Sequence, residues 1–318
     1  MALGLDSVLV GWWTDDEAGT GVTVVLPPAG TLGAIAVRGG APGTREAAAL
    51  GPTGAGVECH GVVLCGNSVF GLAAADGVVR WCAQQGRGLN IRDSIVPVVG
   101  AAVVYDIASP QSTRPTAEAG WAACEAATMA EPAIGRVGVG RGCTIGKIAG
   151  RDYSVAGGLG TAIVRSGDVV VGAAIAVNAL GDVIGADGTV LAGTTASPEM
   201  DRYPYAPIEL IAGFTGRGTE VPDGADPAGA TTTPDHSERT NTTIGCLVTN
   251  ARLTKPEACR AADLAHTGIA RAVEPPHTNF DGDALFLLAT GEVETRADLV
   301  AALGAQAVAT AIRAAVSN

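Results

Sequence analysis

The sequence predicts an α+β fold, a layered α/β sandwich on a largely antiparallel sheet. Three observations carry this expectation. Short β-branched runs cluster together and helix-period runs form separate blocks, whereas a doubly wound parallel sheet alternates strand with helix. Glycine is abundant (45 residues) and aromatics make up only 4%, with Ala and Val dominant, which suits closely packed layers and tight turns. A length of 318 residues with 47% hydrophobic content is enough for one large domain or two ordinary ones.

Residues 8–38 alternate short apolar runs with Gly/Pro turns. Strands are expected at Val22–Leu26 and Ala34–Val37, around the turn Pro27-Pro28-Ala29-Gly30. Residues 39–60 read as a Gly/Pro-rich loop and Val62–Cys65 as a short strand. Gly66-Asn67-Ser68 opens a helix over Val69–Gln85, whose apolar Val69, Leu72, Ala73, Val79, Cys82 and Ala83 recur at helical spacing. Asn67 or Ser68 is the expected N-cap. The free N–H groups of such a turn also suit a substrate carbonyl or an anion, although capping is the simpler reading. The apolar run Ile95–Ile107 contains Tyr105-Asp106 near its end, Ala117–Met129 reads as an alanine-rich helix, and Gly135–Gly142 as a glycine-dense loop.

Gly157–Val164 and Asp168–Asn178 read as paired strands, followed by a hairpin over Asp182–Leu191 turning at Ala186-Asp187-Gly188. A polar stretch rich in Pro, Gly, Thr and Asp then runs from about Thr194 to Thr240. It is too long for a plain connection in a compact domain, so it is expected to be functional or disordered. A buried strand follows from Thr242 to Asn250, then a helix over Lys255–Ala272, a strand at Ala284–Thr290 and a closing helix over Ala297–Val316.

The junction at Asn241-Thr242-Thr243 is where the polar stretch meets the apolar strand. A hydroxyl residue opening a buried strand suits a chain that cuts itself at the Asn241–Thr242 bond. The hydroxyl is a weak nucleophile and needs an adjacent base. An α-amine, with a pKa of about 7.7–8.0, can be that base near neutrality. One residue then supplies both groups. The triplet is also an N-glycosylation sequon and a common strand start; read by itself, that ordinary reading leads.

Composition narrows the field. A net charge of −12 argues against general nucleic-acid binding, which needs Lys and Arg on phosphates, and is compatible with substrates bearing an ammonium group. Met1–Asp6 lacks a basic and an apolar region, so no secretory signal is expected, and no charge-free apolar stretch suggests a membrane span. The seven cysteines are scattered with no C-x-x-C pair, as for reduced, buried thiols in a cytosolic protein. His60, His236, His266 and His277 show no ligand spacing, so no metal or other cofactor is expected. Gly142 to Gly146-Lys147 imitates a phosphate loop, but the glycine spacing is one short and Ile148 stands where Ser or Thr is needed. Asp281-Gly282-Asp283 is a turn signal that also sets two carboxylates beside a strand start.

Several segments together resemble one family. Cys65-Gly66-Asn67-Ser68-Val69-Phe70-Gly71-Leu72, Val103-Val104-Tyr105-Asp106, Gly146-Lys147, Val177-Asn178, Asn241-Thr242-Thr243-Ile244 with Val248-Thr249-Asn250, and His277-Thr278 with Asp281-Gly282-Asp283 resemble the DmpA/NylC group of self-processing N-terminal nucleophile hydrolases. That group includes L-aminopeptidase/D-amidase-esterases, β-peptidyl aminopeptidases and endo-type nylon-oligomer hydrolases. The resemblance implies an αββα four-layer sandwich, one catalytic domain over 1–318, and cleavage into fragments 1–241 and 242–318. It also implies a homotetramer or related oligomer acting on small linear amides. By the same resemblance Thr242 is the nucleophile and Asn178 stabilises the oxyanion. Lys147 tunes the nucleophile, Tyr105 lines the site, and Asp281 and Asp283 match paired acidic positions of the nylon-oligomer branch. Asn67, Ser68 and Phe70 match a substrate-binding turn, with Phe70 lacking the hydroxyl of the tyrosine common there. Thr243 is the other candidate nucleophile, but strand alternation points it away from the Thr242 face.

Overall fold

The computed structural model describes residues 1–56, 58–109, 111–197 and 241–317. The expected loop from residue 198 to Thr240, with His236, lies outside them. Two five-stranded sheets dominate. Their strands are β1 (Leu9–Asp15), β2 (Thr20–Leu26), β3 (Leu32–Val37), β4 (Thr44–Arg45), β5 (Gly61–Cys65), β6 (Val99–Val103), β7 (Gly158–Ser166), β8 (Val169–Asn178), β9 (Thr242–Arg252) and β10 (Ala284–Glu294). The main helices are α1 (Ala74–Gln84), α2 (Ala117–Glu125), α3 (Lys255–Ala265) and α4 (Ala297–Ala314).

The first sheet has the order β1-β2-β5-β6-β4 and the second β7-β8-β9-β10-β3. Each sheet is antiparallel except for one pair, β5 with β6 and β9 with β10. The expected largely antiparallel sheet therefore holds, with a parallel pair at the same place in each order. Residues of β9 alternate between two cores. Ile244, Cys246 and Val248 meet Leu64, Ala102 and Phe286 between the sheets, while Leu247 and Ala251 face α3 and α4. A third core joins the outer face of the first sheet to α1 and α2. The layers run helix, sheet, sheet, helix. A sheet covered on both faces calls for apolar residues along most of each inner strand, which is why residues 169–177 of β8 and 244–248 of β9 read as apolar runs.

Local chemistry explains several boundaries. Thr254 and Glu257 form a capping box at the start of α3, with the Thr254 N–H donating to Glu257 Oε2 at 2.8 Å. The helix expected over Lys255–Ala272 breaks at His266, whose fully buried ring packs inward. The alanine-rich helix stops at Glu125 instead of Met129, because Thr128 bridges to Val10 through N–H···O bonds of 2.9 and 3.1 Å. The expected loop 39–60 contains β4 and a helical turn at Ala47–Leu50. By length and a mean hydropathy of 1.2, α4 would pass for a membrane span, yet it packs on β7 and β8 as a core helix. All seven cysteines are buried and unpaired, as expected of small apolar side chains.

Candidate active site

The ends of five segments converge. Asn178 closes β8 and Thr242 opens β9, and the two are paired across the ladder. Both belong to the face that looks toward the first sheet, the face of Ala176 and Ile244. From the first sheet, Tyr105 follows β6 and its carbonyl accepts the Asn178 Nδ2–H at 3.1 Å. Lys147 joins through its Nζ, which donates to the Asn178 carbonyl at 2.9 Å and to Asn178 Oδ1 at 3.0 Å. Asn178 Oδ1 also accepts the Thr144 N–H at 2.9 Å.

Thr242 is 5% exposed, and its hydroxyl donates to the Asn241 carbonyl, the group that self-cleavage would attack. The same carbonyl accepts the Gly282 backbone N–H at 3.1 Å. Thr243 Oγ1 belongs to the opposite face of the strand. Asn241 pairs in a parallel bridge with Asp281, so the Asp281-Gly282-Asp283 turn lies against the Asn241–Thr242 bond. The carboxylates themselves have defined partners. Asp281 Oδ2 accepts from Thr278 N–H at 2.7 Å and Thr278 Oγ1–H at 2.6 Å. Asp283 Oδ1 accepts the Thr243 N–H at 2.6 Å. Asp283 thereby holds the peptide that joins Thr242 to Thr243.

Residues 38–41 cradle this turn. Arg38 and Gly39 N–H groups donate to the Asp283 carbonyl at 3.0 and 3.2 Å, and Ala41 N–H to the Asp281 carbonyl at 2.8 Å. A Cβ on Gly39 would lie 2.2 Å from the Asp283 nitrogen and 2.4 Å from the Asp281 carbonyl oxygen. Gly39→Ala is therefore expected to displace the turn, costing about 1–3 kcal/mol in denaturant unfolding by overpacking. It should also slow the reaction at least about tenfold, since small misplacements are costly to catalysis.

Burial sets the charges. Lys147 is 6% exposed, and desolvation lowers its pKa to about 7, with the Arg151 charge acting the same way. Burial, with the Asp283 charge, raises Asp281 to about 6. Between about pH 7 and 10 the unfolded chain protonates Lys147 while the folded one leaves it neutral, so stability falls as pH drops through that window. Lys147→Met is accordingly expected to gain on the wild type by an amount on the order of 2 kcal/mol between pH 9 and pH 6. Thermal unfolding of both proteins at the two pH values measures it.

The Asn67–Phe70 turn departs from expectation. Neither Asn67 nor Ser68 caps a helix with its side chain. Both are left-handed (φ 67° and 53°), and the chain continues as a 3-10 turn over Ser68–Ala73 before α1. The left-handed pair turns the side chains off the helix axis, and Asp106 does the capping. Its carboxylate accepts the Asn67 N–H at 2.6 Å and the Thr20 hydroxyl at 2.8 Å. Burial raises Asp106 to about 6. Asp106 was not among the expected site residues; its signal was a carboxylate closing a buried apolar strand. The Asn67 side chain is fully buried with neither amide atom bonded, whereas Phe70 is 46% exposed beneath the Arg114 guanidinium at 3.5 Å. The Arg151 guanidinium stands 5.7 Å from the Tyr105 ring. Phe70 thus sits on the rim, while Lys147, Asn178, Thr242 and the Asp281–Asp283 turn form one connected cluster.

With this geometry in view, the model of the family described as peptidase family S58 matches residues 5–318. The chain belongs to peptidase family S58. It is 42% identical over 278 residues to an uncharacterised aminopeptidase of Mycobacterium tuberculosis, covering 86% of this chain and 74% of that one. It is 32% identical over 284 residues to the 6-aminohexanoate-oligomer endohydrolase of Paenarthrobacter ureafaciens, covering 88% and 72%. Among solved structures it resembles the L-aminopeptidase D-Ala-esterase/amidase of Ochrobactrum anthropi, described as a variant of the Ntn hydrolase fold, with a TM-score of 0.67 at 19% identity over 98% of this chain and 84% of that one. A Burkholderia β-aminopeptidase gives a TM-score of 0.67 at 19% identity over 98% and 85%. This S58 member is therefore an amide-bond hydrolase of the peptidase/amidase type with an N-terminal nucleophile hydrolase fold.

Proposed function

We propose that this S58 protein is a self-cleaving threonine amidohydrolase. One observation carries the reading: Thr242 opens a central strand with its hydroxyl against the Asn241 carbonyl, which is held by the Gly282 N–H at 3.1 Å. Attack by the hydroxyl on that carbonyl forms an ester and frees the Thr242 nitrogen. Water then hydrolyses the ester, leaving fragments 1–241 and 242–318 as one functional unit. In the mature enzyme the α-amine takes the hydroxyl proton as Thr242 attacks a substrate amide, and delivers it to the departing amine. Asn178 faces the developing oxyanion and Lys147 sets the local charge. Water releases the acid from the acyl-enzyme.

The substrate class is a small linear amide: a 6-aminohexanoate oligomer, a short peptide or an amino-acid amide. The resemblance of the Asp281 and Asp283 pair to the nylon-oligomer branch and the 32% identity to a 6-aminohexanoate-oligomer endohydrolase support the first, and the 42% identity to an aminopeptidase supports the others. An aminopeptidase or D-amidase-esterase without nylon activity is one alternative. Acyl transfer, as in ornithine acetyltransferases, is another: assays with and without an acceptor amine separate them, and transfer to the acceptor alone overturns hydrolysis. A homotetramer of cleaved units and a cytoplasmic location complete the proposal. Denaturing mass spectrometry tests its core. The expected result is two fragments that divide after Asn241; a fully active single chain overturns it.

A further inference from the structure

The mechanism above leaves His277, a half-buried histidine against Asp283, unused. Asp283 is 2% exposed, and each of its oxygens has a different task. Oδ1 accepts the Thr243 N–H at 2.6 Å. Oδ2 faces the His277 ring, with Nδ1 at 2.7 Å, and accepts the His277 backbone N–H at 3.3 Å. A carboxylate only accepts, so Nδ1 carries the proton. His277 itself is held in place: its φ is 52°, in the left-handed region, and its ring packs edge-on against His266 with centroids 5.1 Å apart. His266 is fully buried, and its Nε2 lies 3.1 Å from the Ala36 carbonyl.

We propose that His277 is a positioning residue: it aims Asp283 at the Thr243 N–H and so fixes the peptide that carries the nucleophile. The inference rests on Thr242 being that nucleophile. The ladder explains the need. On the β10 side, Asn241 makes an isolated parallel bridge to Asp281, and the continuous ladder starts at Ile244 with Ala284. Thr242 and Thr243 fall in the gap between the bridge and the ladder. The Asp283 side chain stands in for the missing ladder bond at Thr243, next to the reacting residue. A carboxylate with one fixed partner can still swing about its own axis. A second donor on the other oxygen removes that freedom, in the way an aspartate orients a catalytic imidazole but with the roles exchanged.

The test compares His277→Phe, His277→Asn and His277→Gln. Phe keeps a ring without a donor, Asn places a nitrogen near the Nδ1 position, and Gln places it near Nε2. Two rates are read: appearance of the 242–318 fragment on denaturing gels, and hydrolysis of a chromogenic amino-acid anilide by the cleaved form. His277→Phe and His277→Gln are expected to slow both about 10–100-fold, with kcat falling and KM within about twofold. His277→Asn should stay within about threefold of the wild type. If all three variants lose only thermal stability and keep both rates, or if Asn and Gln lose equally, the proposal is overturned. Should His277→Phe not fold, the Asn and Gln pair decides. Thr242→Ala runs alongside: if it is still cut or active, the nucleophile assignment fails first; if it is inert while His277→Phe is normal, only the role of His277 falls.

Discussion

Thr242→Ala is expected to leave one uncut chain of 31.5 kDa and to lower amide hydrolysis by at least about 10⁴-fold. The size of the effect follows from the double duty of one residue. The hydroxyl that opens the Asn241–Thr242 bond is the hydroxyl that attacks substrate, and without the first event no α-amine exists to serve as base. Thr242→Ser keeps the hydroxyl and should be cut and active within about tenfold of the wild type, because its Oγ occupies the same staggered well. Thr243→Ala should also be cut, since the Thr243 hydroxyl lies on the opposite face and the Asp283 bond uses only its backbone N–H. Mass spectrometry of the purified variants reads cleavage, and acylation by an activated ester reads the nucleophile. Cleavage of Thr242→Ala, or loss of cleavage only in Thr243→Ala, would move the assignment by one residue.

Removal of the Asn178 side chain has the second-largest expected effect, a fall in kcat of about 10²–10³-fold with little change in KM. Asn178 pairs with Thr242 across the ladder and spans both sheets through the Tyr105 carbonyl at 3.1 Å. Its Oδ1 also accepts from the buried Lys147 Nζ at 3.0 Å, so Asn178→Ala takes an acceptor from a buried donor and should lower stability as well. Asn178→Asp separates the two roles. It keeps acceptors for Lys147 and the Thr144 N–H but loses the amide donor to the Tyr105 carbonyl, so only the part of the stability lost through Lys147 should return while kcat stays low. Wild-type kcat in both variants would exclude Asn178 from the reaction.

The central strands were legible because burial on both faces leaves an apolar run, whereas the four layers were implied only by the family resemblance. Residues 169–177 of β8 and 244–248 of β9 are all apolar or glycine, since helices cover one face and the other sheet covers the opposite one. The helix breaks at Glu125 and His266 were not legible. Each is set by a remote partner, the Val10 backbone for one and the Ala36 carbonyl for the other. The capping of the Asn67 turn was misread for the same reason: side-chain capping is a local rule, but here the carboxylate comes from Asp106, 39 residues on.

The sequence by itself determined the chemical inventory: a threonine at the head of a buried strand, one lysine in a glycine-rich segment, a carboxylate pair in a tight turn, and the alternation that separates the Thr242 and Thr243 faces. These are local properties, written in residue type and period. Only the tertiary structure decided which groups meet. Strand register set Asn178 opposite Thr242, the backbone of residues 38–41 pressed the Asp281–Asp283 turn against the Asn241–Thr242 bond, and burial brought the Lys147 pKa down to about 7. Contacts between residues far apart along the chain depend on how whole layers pack, and no short stretch of sequence carries that information.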